Sequence, residues 1–310
     1  MMNKHIYGAL LLGLFLISAV PSFAQDKIMV WPEGELPNSK GLAIEDSVEN
    51  DRIYLLKHPH MYAFHPAKEE NTGAAVLIFP GGGYNHLTYD LGGFQLAKWF
   101  NTLGVHAYVL NYRIPKSPDL IQREIAPLQD AQRAIRIIRS NANEWGIDPN
   151  KIGAMGTSAG GHLTATIGTF AEDYASIGDT LDSISFVPNF MIMISPVITF
   201  GEFAHEGSKH NLLGENPSKE LVQKFSAELQ VNDQTPPSLL IHAANDRSVH
   251  PMNSMLFYEA LLEHGSTESS LHIFPQGGHS IGMIGNPGST EYWTDLGEEW
   301  LKETGFLEFN

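Results

Sequence analysis

The chain has 310 residues, with 19 basic and 35 acidic side chains and a formal net charge of −16 at pH 7. A surface this acidic repels nucleic acids and anionic membranes, so we expect neither as a partner. The sequence contains no cysteine, which excludes disulfides, zinc–thiolate sites and cysteine nucleophiles.

The first 24 residues have the pattern of a secretory signal peptide. Lys4 gives a positive start, residues 6–20 are uncharged and mostly apolar, and residues 21–24 (PSFA) end in small side chains suited to a signal peptidase. The apolar stretch is shorter than the ~20 residues that a membrane-spanning helix needs. We therefore expect cleavage near Ala24, export to the periplasm or the extracellular space, and a single folded domain over 25–310.

Apolar runs and amphipathic segments alternate along the rest of the chain. Short, fully apolar runs closed by turn residues are typical of buried parallel strands. Their alternation with helices predicts an α/β fold, in which a mostly parallel central sheet has helices on both faces. The predicted strands are 74–79, 105–110, 151–155, 190–194, 238–243 and 271–274, and the predicted helices are 94–103, one opened by Pro127, 161–169, 252–263 and 291–303.

Two stretches fit this alternation less well. Residues 53–56 are expected to add an antiparallel edge strand to the sheet. Residues 196–237 contain polar and glycine-containing segments, and we expect them to form a small cap or a long loop over the carboxyl edge of the sheet. Long ordered insertions at that edge often carry function.

The stretch "MGTSAGGHL", residues 155–163, surrounds Ser158 with small side chains. It follows a predicted strand and precedes a predicted helix, which is the setting of a nucleophile elbow in an α/β-hydrolase. A serine hydroxyl alone is a poor nucleophile, and it requires a base and a group that orients the base. The sequence therefore predicts Ser158 as a nucleophile with two partners elsewhere in the chain.

Asp246 and His279 are the best partners that the sequence offers. Asp246 follows the predicted strand 238–243, and His279 follows the strand 271–274 in a Gly-Gly-His turn. Both are expected at the carboxyl edge of the sheet, in the chain order serine, acid, histidine. We therefore predict a catalytic triad of Ser158, His279 and Asp246. The base must be neutral to accept a proton and an unperturbed histidine titrates near ~6.5, so hydrolysis should fall on acidification.

A glycine loop after the first long predicted strand is expected to form an oxyanion hole. In "FPGGGY", residues 79–84, the backbone N–H groups of Gly82 and Gly83 are predicted to bind the developing alkoxide together with that of Ala159. Glycine lets the backbone approach a substrate without interference from a Cβ atom. Tyr84 beside this loop is predicted to bind substrate by stacking with its aromatic ring.

Six motifs carry a family resemblance, and they occur together and in order. They are "FPGGGY", "LNYRIP", "LQDAQRAIRIIR", "EWGIDPNKIGAMGTSAGGHL", "TPPSLLIHAANDRSV" and "HIFPQGGH". They resemble the exported bacterial α/β-hydrolase esterases related to acetyl xylan esterases, over nearly all of the chain from residue 30 onwards. The resemblance implies the triad of Ser158, His279 and Asp246, and many members of the family remove acetyl groups from plant polysaccharides.

The chain departs from its wider family at three positions. Pro80 stands where many relatives in the lipase and esterase group have a histidine, and Ser280 replaces a common glycine. Asn245 stands where relatives often have the first of two aspartates. Because Asp246 is the second of these and is retained, the role of the acid carries over.

The predicted function is a secreted serine esterase that removes short acyl groups, acetyl above all, from carbohydrate such as xylan or its oligosaccharides. Since a fold does not determine a substrate, the alternatives are a feruloyl esterase, a general short-chain esterase or lipase, an arylformamidase-like hydrolase and a non-catalytic binding protein. No cofactor or metal is expected, and His58, His60 and His65 are interpreted as loop residues rather than metal ligands. A small-molecule or oligosaccharide ester is the expected partner, and the oligomeric state is left open.

Overall fold

The computed structural model describes residues 26–308, which contain ten strands. Most of them are short and buried, as the apolar runs of the sequence predict. The strands are β1 (Asp26–Met29), β2 (Ser47–Glu49), β3 (Arg52–Leu55), β4 (His60–Phe64), β5 (Ala75–Phe79), β6 (His106–Asn111), β7 (Ile152–Thr157), β8 (Met191–Ile194), β9 (Ser238–Ala243) and β10 (Ser270–Phe274).

Eight of these strands form one central sheet in the order β1-β4-β6-β5-β7-β8-β9-β10. The six strands from β6 to β10 in this order run parallel, and β4 and β1 extend one edge antiparallel. Parallel neighbours require crossover connections, which the helices between them provide. The predicted mostly parallel α/β architecture is therefore confirmed.

The strand expected over 53–56 does not join an edge of this sheet, and that prediction is wrong. Arg52–Leu55 pairs with β2 alone in a separate two-stranded sheet. Ile53 and Leu87 exchange backbone hydrogen bonds of 3.1 and 2.9 Å, which tie β3 to the loop after β5. The edge position is occupied by β4 and β1 instead.

Eight α-helices occur within residues 26–308, and they cover both faces of the sheet. A π-helical turn, Asp90–Phe94, leads directly into the first of them. The helices are α1 (Gln95–Thr102), α2 (Ala126–Ser140), α3 (Ala142–Trp145), α4 (Ala159–Thr169), α5 (Glu206–Leu213), α6 (Lys219–Lys224), α7 (Met252–Glu263) and α8 (Trp293–Glu303).

The core lies on both faces of the sheet because successive strand side chains alternate in direction. Leu77 of β5 belongs to one buried cluster with Leu128 of α2. The next residue, Ile78, belongs to a second cluster with Phe100 of α1 and Trp300 of α8. Burial on both faces explains why β5 is apolar throughout rather than alternating.

The charged face of α2 is buried as well. Arg136 forms an ion pair of 2.6 Å with Asp173, and Arg133 forms one with Asp179. Both arginine side chains are 3% exposed, so the segment between α4 and β8 covers them. Bidentate arginine–carboxylate pairs of this kind satisfy the buried charge.

The segment 196–237 contains α5, α6 and a 3₁₀ turn, Ala227–Gln230. Asn253 of α7 holds its first part, since its side chain accepts the N–H groups of Ile198 and Thr199 at 2.8 and 3.1 Å. Within residues 26–308, no helix combines the length and the apolar character needed to cross a membrane. The predicted signal peptide over 1–24 lies outside the described residues.

Candidate active site

Ser158 occupies the sharp turn between β7 and α4. Its backbone has φ 55° and ψ −121°, a combination that side-chain-bearing residues rarely adopt. Strained dihedrals of this kind persist where the surrounding structure enforces them, and they cluster at functional sites. The turn places the serine between the end of a strand and the first turn of a helix, as a nucleophile elbow requires.

Three glycines make this turn sterically possible. A Cβ atom on Gly156 would lie 2.1 Å from the carbonyl oxygen of Gly160, and one on Gly160 would lie 2.0 Å from that of Phe79. A Cβ atom on Gly161 would lie 2.6 Å from Cβ of Pro196. No side chain fits at these distances, which explains the small residues around Ser158 in the sequence.

The structure brings the three predicted triad residues together. The distance from Ser158 Oγ to His279 Nε2 is 2.9 Å, and the distance from His279 Nδ1 to Asp246 Oδ2 is 2.7 Å. The Asp246 side chain is fully buried, whereas that of His279 is 27% exposed. A nucleophile, a base within hydrogen-bond reach and a buried acid behind the base form the arrangement that activates a serine.

Asp246 is held as a carboxylate by four hydrogen-bond partners. Its Oδ1 accepts the backbone N–H groups of Ser248 and Val249 at 2.8 and 3.0 Å, and Oδ2 lies 3.3 Å from His242 Nε2. Burial alone would raise the pKa of Asp246, but the hydrogen bonds from His242, His279 and the Val249 N–H outweigh burial and hold the pKa well below the usual aspartate range.

His242 of β9 contacts the carboxylate of Asp246, a role that was not predicted from the sequence. Its Nε2 lies 3.0 Å from the carbonyl oxygen of Val249, which accepts only, so this nitrogen carries the proton. Its Nδ1 then accepts the hydroxyl of Ser254 at 2.7 Å. The available signal is a histidine inside a buried strand, four residues before the acid.

The pH dependence of hydrolysis follows from these contacts. Protonated His279 cannot accept the serine proton, whereas Asp246 stays ionised because its pKa is held low. We therefore expect the rate to fall with a single limb as the pH is lowered, and initial rates with 4-nitrophenyl acetate across a buffer series measure it. A rate that stays constant down to about pH 4, near the pKa of an ordinary carboxyl, would instead indicate a carboxylate base.

The glycine loop after β5 lines the same cleft as Ser158. Gly82 has φ +137°, and a Cβ atom there would lie 2.1 Å from the carbonyl oxygen of His86, so only glycine fits. Within the described part of the chain, the N–H groups of Gly82, Gly83 and Ala159 donate to no other protein group. Unpaired N–H groups beside a nucleophile are the donors that an oxyanion hole requires.

The predicted substrate contact of Tyr84 is wrong. Tyr84 has φ 56°, and this left-handed turn carries its side chain inward, so that only 1% of the residue is exposed. His162 Nε2 donates to the carbonyl oxygen of Phe225, so the Tyr84 hydroxyl donates to His162 Nδ1, both at 2.8 Å. The hydroxyl of Tyr112 donates to the carbonyl of Pro80 at 2.8 Å. Both tyrosines therefore support the glycine loop from beneath.

A cleft of about 450 Å³ opens above Ser158 and His279. Leu96, Ile194 and Ile281 form an apolar wall, and each is less than a tenth exposed. His205, from the segment 196–237, lies on another side of the cleft. This position of His205 is not predictable from the sequence, because nothing in the local pattern distinguishes His205 from the other histidines.

The three histidines between β3 and β5 are not brought together. His60 contacts the carbonyl oxygen of His58 at 3.0 Å and the side chain of Asn111 at 3.2 Å. His65 contacts His106 instead, with 2.8 Å between their Nδ1 atoms. Over residues 26–308, no three histidine or acidic side chains are placed to share a metal ion.

The fold and this arrangement of serine, histidine and aspartate define an α/β-hydrolase. The BD-FAE family model matches residues 61–261, and the chain belongs to this family. Together with the relatives named next, this match confirms the resemblance of the sequence motifs to α/β-hydrolase esterases related to acetylxylan esterases.

Named relatives support the class of carboxylic ester hydrolases. The chain is 34% identical over 219 residues to an acetylxylan esterase of Xylanibacter ruminicola. The matched region covers 69% of the chain and 42% of that protein. An acetyl ester-xyloside bifunctional hydrolase from Caldicellulosiruptor lactoaceticus has a TM-score of 0.76 at 36% identity, covering 92% of the chain and 98% of the solved one. An esterase of Thermogutta terrifontis, solved with propionate bound, has a TM-score of 0.67 at 26% identity, covering 88% and 97%.

The curated relatives are longer proteins. The chain spans 35–54% of their lengths. The similarity to each of these relatives therefore covers only part of that relative's length.

Proposed function

We propose that the protein is a serine esterase that removes short acyl groups, acetyl above all, from carbohydrate such as xylan or its oligosaccharides. The observation that carries the proposal is the hydrogen-bonded series Ser158–His279–Asp246 beside three unpaired backbone N–H groups. This combination matches the chemistry of acyl transfer from an ester. We also propose that the enzyme acts after export, as its first 24 residues predict.

In the first half of the reaction, Ser158 Oγ attacks the ester carbonyl carbon and His279 Nε2 takes the serine proton. The negative charge that develops on the carbonyl oxygen is bound by the N–H groups of Gly82, Gly83 and Ala159. His279 then gives its proton to the leaving alcohol oxygen as the ester C–O bond breaks. The products of this half are the free alcohol and an acyl group on Ser158.

In the second half, water replaces the alcohol. His279 takes a proton from the water as the oxygen attacks the acyl carbon, and the same proton returns to Ser158 when the bond to the enzyme breaks. Asp246 keeps its charge in both halves, and it stabilises the imidazolium that forms each time. The carboxylic acid is released and the enzyme is regenerated.

Two features support a small acyl group on a sugar. The apolar wall formed by Leu96, Ile194 and Ile281 beside Ser158 suits a short alkyl chain. The acidic surface, with a net charge of −16, does not suit interfacial lipid hydrolysis but is compatible with neutral sugars. The acetylxylan esterase and the acetyl ester-xyloside hydrolase reported above support the same substrate class.

Esters of increasing acyl length test the acyl preference. With 4-nitrophenyl esters, we expect kcat/KM to be highest for acetyl or propionyl and to decline steadily towards octanoyl, because the cleft of about 450 Å³ is shared by the acyl and alcohol parts. With acetylated xylan or its oligosaccharides, we expect release of acetate. A preference for octanoyl esters, or no acetate from any acetylated glycan, would contradict the carbohydrate assignment and leave a general serine esterase.

A further inference from the structure

His205 is a cleft residue with no part in the reaction described above. It caps the start of α5, and its ring lies against the oxyanion loop: an ideal Cβ on Gly83 would be 4.0 Å from His205 Cε1. The side chain of Asn211, on the same helix, donates to the Gly83 carbonyl at 2.8 Å. The helix and the glycine loop are therefore fixed to each other, and His205 has a defined position beside Ser158.

The hydrogen bonds of His205 determine which nitrogen carries its proton. The backbone N–H of Ser208 donates to His205 Nδ1 at 3.1 Å, and the hydroxyl of Ser208 lies 2.8 Å from the same atom. A backbone N–H only donates, so Nδ1 accepts and the neutral ring carries its proton on Nε2. Within residues 26–308, Nε2 of His205 has no hydrogen-bond partner, so a donor is left free in the cleft.

The surroundings of His205 lower its pKa. Burial lowers the pKa of His205 most, and positive charge on His279 lowers it further, against smaller opposite effects of Asp246 and Glu206. During the reaction His279 becomes an imidazolium, and this charge disfavours a second charge on His205. Both effects therefore favour the neutral form of His205, in which Nε2 is the N–H donor.

We propose that His205 Nε2–H binds a hydroxyl group of the sugar that carries the ester, next to the leaving oxygen. This inference rests on the proposed function. His279 protonates the leaving oxygen, so the ring carbons adjacent to that oxygen lie near His279 as well. His205 lines the cleft together with His279, and it is close enough for the charge of His279 to lower its pKa. An aryl leaving group has no hydroxyl to offer at this position.

The test compares two acetate esters that differ in the alcohol. In His205→Asn the asparagine oxygen retains the helix cap, but the shorter side chain does not place a donor where Nε2 lies. We expect kcat/KM on an acetylated xylo-oligosaccharide to fall about tenfold, which is the loss of roughly one hydrogen bond. We expect the fall mainly as a higher KM, because the bond forms in the ground state too. On 4-nitrophenyl acetate, the change should stay within about twofold.

His210→Asn is the matched control, because it makes the same chemical change on the same helix at an exposed histidine. It should change neither substrate's kinetics. His205→Ser, which also retains a capping oxygen, replaces the asparagine variant if that variant does not fold.

Each outcome separates the two proposals. If the wild-type enzyme does not deacetylate the oligosaccharide, the carbohydrate part of the proposed function fails, and the inference fails with it. If it hydrolyses neither ester, the assignment as an esterase fails as well. If the wild type deacetylates the oligosaccharide and His205→Asn does so equally well, the inference alone is overturned. Equal losses on both esters would also overturn it, because they would place His205 at the acyl centre rather than at the sugar.

Discussion

Replacing Ser158 by alanine should give a folded protein that hydrolyses 4-nitrophenyl acetate about 10⁶-fold more slowly than the wild type. The substitution removes the oxygen that lies 2.9 Å from His279 Nε2, and within residues 26–308 no other side chain forms a hydrogen bond with that nitrogen. Alanine keeps Cβ, so the strain of φ 55° at the turn is nearly unchanged. Initial rates, with circular dichroism to show that the variant is folded, measure the effect.

Ser280→Ala is the matched control for this experiment. Ser280 lines the same cleft and follows His279 directly, but its exposed side chain takes no part in the hydrogen-bonded series. Its loss should leave the rate within a few-fold of the wild type. If Ser158→Ala kept activity within tenfold of the wild type, a second nucleophile or a different site would have to be responsible.

Asp246→Asn should reduce kcat by about 10⁴, the effect expected when the acid no longer orients the base. The contacts of Asp246 show why the side-chain amide of the asparagine in this variant has one preferred orientation. Oδ1 accepts the N–H groups of Ser248 and Val249, so the asparagine oxygen stays there and its NH₂ group replaces Oδ2. That NH₂ then donates to His279 Nδ1, which forces the proton to Nε2 and blocks uptake of the serine proton.

The same orientation predicts a loss of stability. In the wild type, His242 Nε2–H lies 3.3 Å from Asp246 Oδ2, and an NH₂ group there would face it donor to donor. We expect the variant to melt at a lower temperature than the wild type, in addition to losing activity. The pH profile of its remaining activity shows whether the histidine or another group then limits the rate.

Asp233→Asn is a control of the same chemical kind. Asp233 forms an ion pair of 2.9 Å with His264, but its side chain is 82% exposed, and exposed pairs contribute little. This change should affect neither turnover nor melting temperature measurably. Unaltered turnover in Asp246→Asn would contradict the role of the acid.

Much of the fold follows from burial patterns that are visible in the sequence. The strand Ser238–Ala243 and the helix Met252–Glu263 lie where the sequence predicts them, because the strand is mostly apolar and the helix is long. The helix after Ser158 starts two residues earlier than predicted, at Ala159. Because the glycines at 160 and 161 have low helix propensity, the sequence does not indicate that the helix starts before them.

The antiparallel edge of the sheet has no comparable signal. His60–Phe64 forms β4 with a polar residue and a tyrosine among its five side chains, and Asp26–Met29 forms β1 with mostly exposed ones. Both join the sheet through backbone hydrogen bonds, which any sequence can make. Pairing of this kind depends on the neighbouring strand rather than on the strand's own residues.

Some residues of the candidate site were also predictable from the sequence, and others were not. The chain order of Ser158, Asp246 and His279 predicts the triad because each follows a recognisable strand, and parallel strands end at one edge. The prediction for Tyr84 is wrong because the direction of its side chain depends on a backbone φ of 56°. Nothing in the sequence "GGGY" specifies that angle. The position of His205 was not predicted because it depends on two contacts. The contact with Gly83 joins distant parts of the chain, and the contact with Ser208 depends on the local turn.

In the proposed mechanism, Ser158 is the residue that becomes acylated. Incubation with diethyl 4-nitrophenyl phosphate, followed by intact-mass spectrometry and peptide mapping, tests it most directly, because a serine activated by a histidine is phosphorylated and the adduct is slow to hydrolyse. We predict one diethylphosphoryl group per chain, on Ser158, together with complete loss of esterase activity and no labelling of Ser158→Ala. Labelling of a different residue, or full activity after stoichiometric labelling, would contradict the assignment.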